Sequence, residues 1–327
     1  MNLNNKVVLV TGGTGSFGQK FVEIALTKYK PKKIIIFSRD ELKQFEMRRK
    51  FNSPRLRYFI GDVREAQRLH RALHGVDIVV HAAALKQVPA LEYNPFEAVK
   101  TNVLGAENVI NAAIDNKVEK VIALSSDKAV NPINLYGATK LCADKLFIAG
   151  NSYSGDAKTR FSIVRYGNVY NSRGSVVPFF REEAKKGVLP VTDPKMTRFW
   201  ITLEQGVAFL LKCLGLMQGG EIFIPKIPSF RIIDLAKVIA AGCKVKIVGI
   251  RPGEKVNEVL VPEDEARNTI EYGNMYIILP AFRYWDAKEI YKGYKPLRDN
   301  FKYSSDNNRD WLEILELKKI LKKDENG

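Results

Sequence analysis

One stretch decides the fold of this chain: Val7-Val-Leu-Val-Thr-Gly-Gly-Thr-Gly-Ser-Phe-Gly18. Its first four residues are apolar and predict a buried strand, and residues 17–29 predict an amphipathic helix directly after it. Glycines between the two allow a tight turn and a close approach of the backbone to a pyrophosphate, which the amides at the helix N-terminus then face. The predicted cofactor contacts of this turn are Gly12, Thr14, Gly15, Ser16, Phe17 and Gly18.

Outward from this turn, apolar runs alternate with amphipathic segments. Further strands are predicted at residues 33–37, 56–60, 76–81, 118–124 and 161–166, and helices at 41–51, 96–116, 204–216, 232–241 and 310–322. Apolar strands separated by helices are typical of a doubly wound parallel α/β sheet. We expect a dinucleotide-binding domain at residues 1–170, with return segments at roughly 200–245. A smaller α/β substrate-binding region is expected at 171–199 and 246–327.

Composition narrows the class of protein. The 327 residues are 46% apolar, which suits a sizeable core and excludes general disorder. Lysine and arginine number 52 against 36 acidic residues, and a net charge of +16 suits a nucleic acid, a membrane surface or a multiply anionic substrate such as a nucleotide sugar. Three scattered cysteines predict neither disulfides nor a metal site. With no signal peptide or membrane span in the pattern, a cytoplasmic protein is expected.

The residues that end the second strand bear on the choice of cofactor. Ser38, Arg39 and Asp40 end this strand, and Lys43 follows one helical turn later. A carboxylate here would bind the ribose hydroxyls of NAD, whereas two cations and a hydroxyl suit the 2′-phosphate of NADP. The sequence therefore favours NADP, with an ordinary solvated helix face as the alternative for the two cations.

The ends of the third and fourth strands extend the predicted cofactor cleft. Asp62 and Val63 would lie beside the adenine. Ala83 and Lys86 would lie along the ribose and the phosphates. His81 is predicted to be a packed residue at a strand end rather than a ligand.

A tyrosine and a lysine downstream predict oxidoreductase chemistry. Tyr136 and Lys140 are four residues apart and share one helix face. A nearby ammonium stabilises a phenolate, so we expect Lys140 to lower the pKa of Tyr136. The phenolate would accept a hydroxyl proton while hydride leaves to a nicotinamide.

Asp127 and Lys128, at the end of the fifth strand, add an acid and a base that plain dehydrogenation does not need. Once C4 of a sugar is a ketone, its C5 proton becomes acidic. Lys128 would remove this proton, Asp127 would protonate the departing 6-hydroxyl, and hydride would return to C6. A structural Asp–Lys ion pair is the alternative, because the ordinary pKa values of both groups favour the charged forms.

These motifs together resemble the extended short-chain dehydrogenase/reductase superfamily, whose fold is of the Rossmann type. Within it, the chain is similar to the soluble inverting UDP-N-acetylglucosamine 4,6-dehydratases of pseudaminic acid synthesis. The resemblance runs from Thr11 to about Pro280. Besides the motifs above, the matching stretches are Arg39-Asp-Glu-Leu-Lys-Gln44, Ala82-Ala-Ala-Leu-Lys86, Lys128-Ala-Val-Asn-Pro-Ile-Asn-Leu-Tyr136, Arg165-Tyr-Gly-Asn168, Arg173-Gly-Ser-Val-Val-Pro-Phe179, Met196-Thr-Arg-Phe-Trp-Ile-Thr202 and Arg251-Pro-Gly-Glu-Lys255.

The resemblance implies a retained NADP and UDP-GlcNAc as the substrate. The implied product is UDP-2-acetamido-2,6-dideoxy-β-L-arabino-hex-4-ulose, with C5 inverted by Lys128 and with the Ser126 hydroxyl in the catalytic set. Glu41 and Leu42 become further cofactor contacts. The implied substrate contacts are Lys86, Asn168, Thr192, Arg251 and Glu254. A homo-oligomer is also implied, because related enzymes form hexamers.

Two other functions compete with this interpretation. A nucleotide-sugar 4-epimerase would use Tyr136 and Lys140 but would not need the Asp127–Lys128 pair. A non-enzymatic protein that binds RNA or senses NADP would explain the positive charge. The basic residues are dispersed, however, and no RNP-like aromatic signature is present. We therefore expect no nucleic-acid partner and no insertion into a membrane.

Overall fold

The computed structural model describes residues 2–170, 172, 175–282 and 285–325. Arg173 and Gly174, which begin one of the matching stretches, lie outside the described residues. Among the residues that are described, no helix is both long and apolar enough to cross a lipid bilayer.

Seventeen strands are present in this part of the chain, and most join one large sheet. They are β1 Val7–Thr11, β2 Lys33–Ser38, β3 Leu56–Ile60, β4 Ile78–His81, β5 Lys120–Ser126, β6 Arg160–Tyr166, β7 Asn168–Val169, β8 Val188–Val191, β9 Thr197–Ile201, β10 Ile222–Pro225, β11 Ser229–Arg231, β12 Lys244–Ile247, β13 Val259–Val261, β14 Thr269–Tyr272, β15 Met275–Ile278, β16 Lys295–Pro296 and β17 Tyr303–Ser304.

The main sheet has the strand order β16-β14-β15-β10-β6-β5-β4-β1-β2-β3. The seven strands from β10 to β3 pair in parallel, and β15, β14 and β16 add an antiparallel edge. Strand order reverses at β1, which lies between β2 and β4, so a crevice opens at the carboxyl ends of β1 and β4. The predicted doubly wound α/β class is confirmed.

Helices cover both faces of this sheet or pack around a smaller core beside it. They are α1 Ser16–Lys28, α2 Glu41–Phe51, α3 Ala66–Ala72, α4 Val88–Tyr93, α5 Pro95–Val99, α6 Gly105–Asp115, α7 Leu135–Tyr153, α8 Val176–Ala184, α9 Leu203–Leu216, α10 Ile232–Ile239, α11 Glu263–Ala266, α12 Ala287–Ile290 and α13 Ile314–Glu325. Short 3₁₀ turns occur at Asp127–Ala129 and Gly155–Ala157, and a π-helical turn at Lys100–Leu104.

The predicted single helix at residues 96–116 is wrong in one respect. The structure divides it into α5, the π-helical turn Lys100–Leu104 and α6. A π turn widens the backbone and inserts one residue, which a 3.6-residue pattern does not reveal. The widened turn carries the buried Asn102, whose role is described below.

Two apolar cores support the fold. The larger core fills both faces of the main sheet and includes residues as far apart as Leu3 and Tyr303. A smaller core lies among α8, β8, α10 and α13, with Trp200 and Leu317 buried in it. The division into a dinucleotide-binding domain and a substrate-binding region stays a prediction. The main sheet nevertheless takes in β14, β15 and β16, which that division assigned to the substrate-binding region.

Candidate active site

The carboxyl ends of the parallel strands open onto a cavity of about 680 Å³. Residues from the glycine turn, from the ends of β2 to β6 and from the start of α7 line it together. The predicted site residues among them are Gly12, Thr14, Gly15, Ser16, Phe17, Gly18, Ser38, Arg39, Asp40, Lys43, Asp62, Val63, Ala83, Lys86, Ser126, Asp127, Lys128, Tyr136, Lys140 and Asn168.

Five predicted site residues do not line this cavity. Glu41 and Leu42 lie on the first turn of α2, where both side chains are exposed. Thr192 follows β8, and Arg251 and Glu254 lie on the loop before β13. The resemblance therefore assigns roles to these residues that the cavity lining by itself does not support.

The glycine turn needs its glycines for steric reasons. Gly12 has φ +63°, and a Cβ there would lie 2.9 Å from the backbone of Ala83. A Cβ on Gly18 would lie 2.3 Å from the carbonyl oxygen of Gly13. Gly15 caps α1 without a side-chain hydrogen bond, so the first amides of this helix remain open to an anionic ligand. This geometry fits a dinucleotide pyrophosphate.

Buried polar groups tie the turn to β4. The Thr11 hydroxyl accepts hydrogen bonds from the amides of Ala82 and Ala83 at 3.1 and 3.2 Å. It also lies 2.9 Å from Nδ1 of His81, whose ring packs against Phe147. Burial, aided by the charge of Lys140, lowers the pKa of His81 to about 3. His81 is thus a neutral, packed residue at the strand end, as the sequence predicted.

Each predicted phosphate cation has a carboxylate partner. Arg39 Nη1 lies 3.3 Å from Asp62 Oδ2, and Lys43 forms an ion pair with Asp40. Asp40 also caps α2, because its carboxylate accepts a hydrogen bond from the Lys43 amide at 3.0 Å. Burial acts to raise the pKa of Asp62, but hydrogen bonds from Arg64 and the charge of Arg39 hold it below its usual range. The carboxylate that would favour NAD is therefore engaged at the helix end.

Asn102, which the sequence analysis did not identify, fixes the loop that carries Lys86. Its side-chain oxygen accepts from the Leu85 amide at 2.8 Å, and its Nδ2 donates to the Leu85 carbonyl at 2.9 Å. The same Nδ2 donates to the Thr139 hydroxyl on α7 at 3.0 Å. No distinctive signal in the sequence marks it, because the same stretch also carries Glu97, Lys100 and Asn108.

The expected lowering of the Tyr136 pKa by Lys140 is wrong for this structure. Burial raises the pKa of Tyr136 to about 12, and the Asp127 carboxylate acts in the same direction, while Lys128 and Ser126 oppose it. Lys140 instead donates from Nζ to the Leu124 carbonyl at 2.7 Å. Burial lowers the pKa of Lys140, and the charge of Asp144 opposes this effect.

Asp127 and Lys128 form a hydrogen-bonded pair on the cavity wall. Lys128 Nζ lies 3.1 Å from Asp127 Oδ2, and the Ser126 hydroxyl donates to Asp127 Oδ1 at 2.7 Å. The backbone of this turn is packed tightly, since a Cβ on Gly137 of α7 would lie 2.2 Å from the Lys128 carbonyl oxygen. The turn and the first residues of α7 are thereby held together.

Sequence reasoning also missed Glu258. Its Oε1 lies 2.9 Å from Lys128 Nζ, and its side chain is buried. Burial acts to lower the pKa of Lys128, but the charges of Asp127 and Glu258 outweigh it and raise the pKa above its ordinary value. No spacing rule could find this contact, because 130 positions separate the two residues in the chain.

Two further carboxylates lie near the site. Asp144, one turn after Lys140 on α7, accepts a 2.6 Å hydrogen bond from the Ser125 hydroxyl, and burial raises its pKa. Glu254 lies 4.0 Å from Arg251, and one of its carboxylate oxygens is buried with no hydrogen-bond partner among the described residues. The side-chain oxygen of Asn168, in the cavity wall, is also buried and has no hydrogen-bond partner among the described residues. Unsatisfied buried oxygens are expected where a ligand supplies the missing donors.

Comparison with known proteins places this site in a family. A family model described as a polysaccharide biosynthesis protein matches residues 8–280. The UDP-N-acetylglucosamine 4,6-dehydratase (inverting) of Campylobacter jejuni is 54% identical, with 97% of this chain and 98% of that protein covered. The UDP-glucose 4-epimerase of Rickettsia canadensis is 42% identical over 97% of this chain and 95% of that protein.

A solved structure shows how far the likeness of the fold extends. The crystal structure of Pen from Bacillus thuringiensis superposes with a TM-score of 0.92 at 38% identity, and the match covers 99% of both chains. The chain therefore belongs to the polysaccharide biosynthesis protein family, in the branch of the extended short-chain dehydrogenase/reductases that contains the inverting UDP-N-acetylglucosamine 4,6-dehydratases.

Proposed function

We propose that this protein is a UDP-N-acetylglucosamine 4,6-dehydratase that inverts C5. The observation that carries the proposal is the hydrogen-bonded Asp127–Lys128 pair, which lines the same cavity as Tyr136. An epimerase would use Tyr136 and Lys140 without this pair, whereas elimination of water needs an acid and a base as well. The 54% identity to a dehydratase of this specificity supports the same activity.

The cofactor in this proposal is NADP. The open amides at the start of α1 would hold its pyrophosphate, and Arg39 and Lys43 at the cavity edge would meet its 2′-phosphate. When bound, the cofactor supplies reversible acceptance of a hydride. Because Asp40 is engaged as the cap of α2, it is less available to bind ribose hydroxyls.

Three side chains handle protons in this mechanism. Tyr136 accepts the proton of the 4-hydroxyl as C4 is oxidised, which requires its phenolate form. Burial by itself keeps this phenol protonated, and the positive charge of a bound oxidised nicotinamide would favour the phenolate. Lys128 then takes the C5 proton, and Asp127 gives a proton to the 6-hydroxyl as water leaves. The Ser126 hydroxyl orients Asp127 through its 2.7 Å hydrogen bond.

A hydride held by the bound cofactor would return to C6, and C5 would take a proton on the face opposite the one it lost. That proton balances the one Tyr136 gained, and Lys128 and Asp127 end as the ion pair from which they began, so the protein regains its starting protonation state.

A single proton shift prepares the acid and the base together. At rest Lys128 is an ammonium hydrogen-bonded to Asp127, because the charges of Asp127 and Glu258 raise the pKa of Lys128. Movement of one proton along the 3.1 Å hydrogen bond gives a neutral amine and a neutral carboxylic acid. Substrate that excludes water from the cavity would favour these neutral forms.

Substrate binding is proposed on both sides of the cavity mouth. The unpartnered oxygen of Asn168 and the side chain of Lys86 would contact the sugar and the phosphates. Arg251 would face the UDP phosphates and Glu254 the uridine ribose, since guanidinium and carboxylate groups suit these partners. Thr192 is a further proposed contact.

The decisive experiment uses UDP-GlcNAc labelled with deuterium at C4, with no added cofactor. We expect NMR to show a new 6-methyl group that carries the deuterium, together with the L-arabino configuration of a product inverted at C5. Formation of UDP-GalNAc would instead support the epimerase. A 6-methyl product without the label would contradict the proposed internal hydride transfer.

Three predictions from the sequence stay predictions. A measurement of mass in solution tests the homo-oligomer, which is expected to be a hexamer as in related enzymes. Tests in the source organism address the cytoplasmic location and the place in pseudaminic acid or related surface-sugar synthesis.

A further inference from the structure

Glu258 lies behind the proposed base rather than beside the substrate. Its carboxylate contacts Lys128 Nζ at 2.9 Å but does not line the cavity, whereas Asp127 contacts the same nitrogen from the cavity side. Glu258 is only 2% exposed, and its second oxygen has no hydrogen-bond partner in the part of the chain that the structure describes. A buried carboxylate of this kind is costly unless a cation compensates for it.

The backbone around Glu258 is fixed from two directions. The Glu258 amide donates to the Ser305 hydroxyl at 2.9 Å, and the Ser305 amide donates back to the Glu258 carbonyl at 2.8 Å. Arg198 donates to the carbonyls of Lys255 and Val256 at 3.0 and 2.8 Å, and its Nε lies 3.7 Å from Glu258 Oε1. The carboxylate is therefore presented to Lys128 by a rigid support.

One ammonium thus lies between two carboxylates with different surroundings. Asp127 can exchange protons with the substrate, and Glu258 cannot reach it. The charged or titratable groups that face Lys128 from its neighbouring elements are Asp127, Tyr136, Arg198, Lys255 and Glu258. Of the two carboxylates, only Glu258 lies outside the cavity lining and so has no direct path for proton exchange with the substrate.

We propose that Glu258 is the positioning residue of the base: it aims the Lys128 amine and stabilises the ammonium that forms when this amine takes the C5 proton. In that step the C5–H bond breaks and an N–H bond forms on Nζ. The electron pair stays on the sugar, delocalised into the C4 carbonyl. Glu258 then pairs with the new charge, much as a carboxylate supports a histidine base. The inference rests on the proposed function, because it requires Lys128 to be the base.

The proposal predicts a specific pH signature. The competent site holds one proton on the Asp127–Lys128 pair, and activity falls at high pH when that proton is lost. The charge of Glu258 strengthens the hold of Lys128 on this proton. Removing the charge should therefore move the alkaline limb of the kcat profile to lower pH.

The test compares Glu258→Gln with Glu258→Asp and with the matched surface control Glu263→Gln. For Glu258→Gln we expect kcat to fall by about tenfold or more with KM within about twofold, and the alkaline limb to move down by about one pH unit. Glu258→Asp keeps a charge at a greater distance, so kcat and the limb should lie between those of the wild type and of Glu258→Gln. The control should behave as wild type, because Glu263 is exposed.

Several outcomes would overturn the inference. One is a wild-type kcat and an unmoved alkaline limb in Glu258→Gln. Another is an equal loss of kcat in Glu258→Gln and Glu258→Asp with no displacement of the alkaline limb, which is the result expected of a purely structural role. Melting temperature and cofactor content report folding. If Glu258→Gln does not fold, Glu258→Asp is the test. An alkaline limb at the wild-type pH in Glu258→Asp then contradicts the proposal. Wild-type protein that forms no 6-methyl product would instead defeat the proposed function.

Discussion

Lys255 Nζ donates a 2.5 Å hydrogen bond to the backbone carbonyl of Val130, which joins segments 125 residues apart. Val130 directly follows the 3₁₀ turn that carries Asp127 and Lys128. The Asn134 side chain makes a second connection, a 2.7 Å bond to the Gly253 carbonyl. The loop that bears the proposed UDP contacts is therefore attached to the turn that bears the proposed base.

Lys255→Met should weaken this attachment. We expect kcat to fall by about tenfold and the free energy of unfolding to fall by about 1–3 kcal/mol, because a hydrogen bond from a charged group to a half-buried carbonyl is lost. Steady-state kinetics and urea unfolding measure both effects. Lys28→Met, at the exposed end of α1, is the control. Equal behaviour of the two variants would contradict a coupling role for Lys255.

Lys128→Ala and Tyr136→Phe should stop the reaction at different steps. Without the base, oxidation at C4 proceeds but elimination does not, so reduced cofactor should accumulate on the enzyme and product should fall by at least about a thousandfold. Without the phenol, the 4-hydroxyl keeps its proton and no reduced cofactor should form. Absorbance of the reduced cofactor after mixing with UDP-GlcNAc distinguishes them. Near-normal turnover in Lys128→Ala would remove the base from the mechanism.

Arg39→Asp should shift preference from NADP towards NAD. The change removes a cation at the proposed 2′-phosphate position and places an aspartate beside Asp62 and Asp40. The three carboxylates would repel the 2′-phosphate of NADP, whereas NAD has no such phosphate. Calorimetric titration of cofactor-free protein with NADP and with NAD gives the ratio of the two affinities. Arg55→Asp makes the same charge change at an exposed position outside the cavity lining. An unchanged ratio would show that Arg39 does not contact that phosphate.

His81 should make the free energy of unfolding fall as the pH is lowered. Burial depresses its pKa from 6.5 to about 3 in the folded state, so the unfolded chain binds the extra proton first. Its contribution to stability is present above pH 6.5 and is lost as pH falls towards 3, at up to about 1.4 kcal/mol per pH unit. Urea unfolding at pH 7.5 and 5.5 should show this fall in the free energy of unfolding in the wild type. The control His74→Gln, at an exposed position, should show the same fall. The slope should be smaller in His81→Gln, and an undiminished slope there would exclude His81 as its source.

Local patterns predicted which residues meet at one cavity better than they predicted the electrostatics of that cavity. The glycine turn and the Tyr136–Lys140 pair are encoded within a few residues of each other, so spacing was enough to bring them to one cavity. Glu258 reaches Lys128 only through tertiary folding, and no local periodicity contains that contact. The direction of the Tyr136 pKa was wrong because burial, which a motif does not express, outweighs the charge of a nearby lysine.

The contact of Gly137 with the Lys128 carbonyl has a consequence for efforts to change the specificity of this scaffold. With no room for a side chain at that position, the backbone of the Asp127–Lys128 turn stays packed against the first turn of the helix that carries Tyr136. A substitution at Gly137 would push the two backbones apart. A different nucleotide is better sought at Arg251 and Glu254 with Lys255 kept in place, because Lys255 attaches this loop to the turn that carries the proposed base.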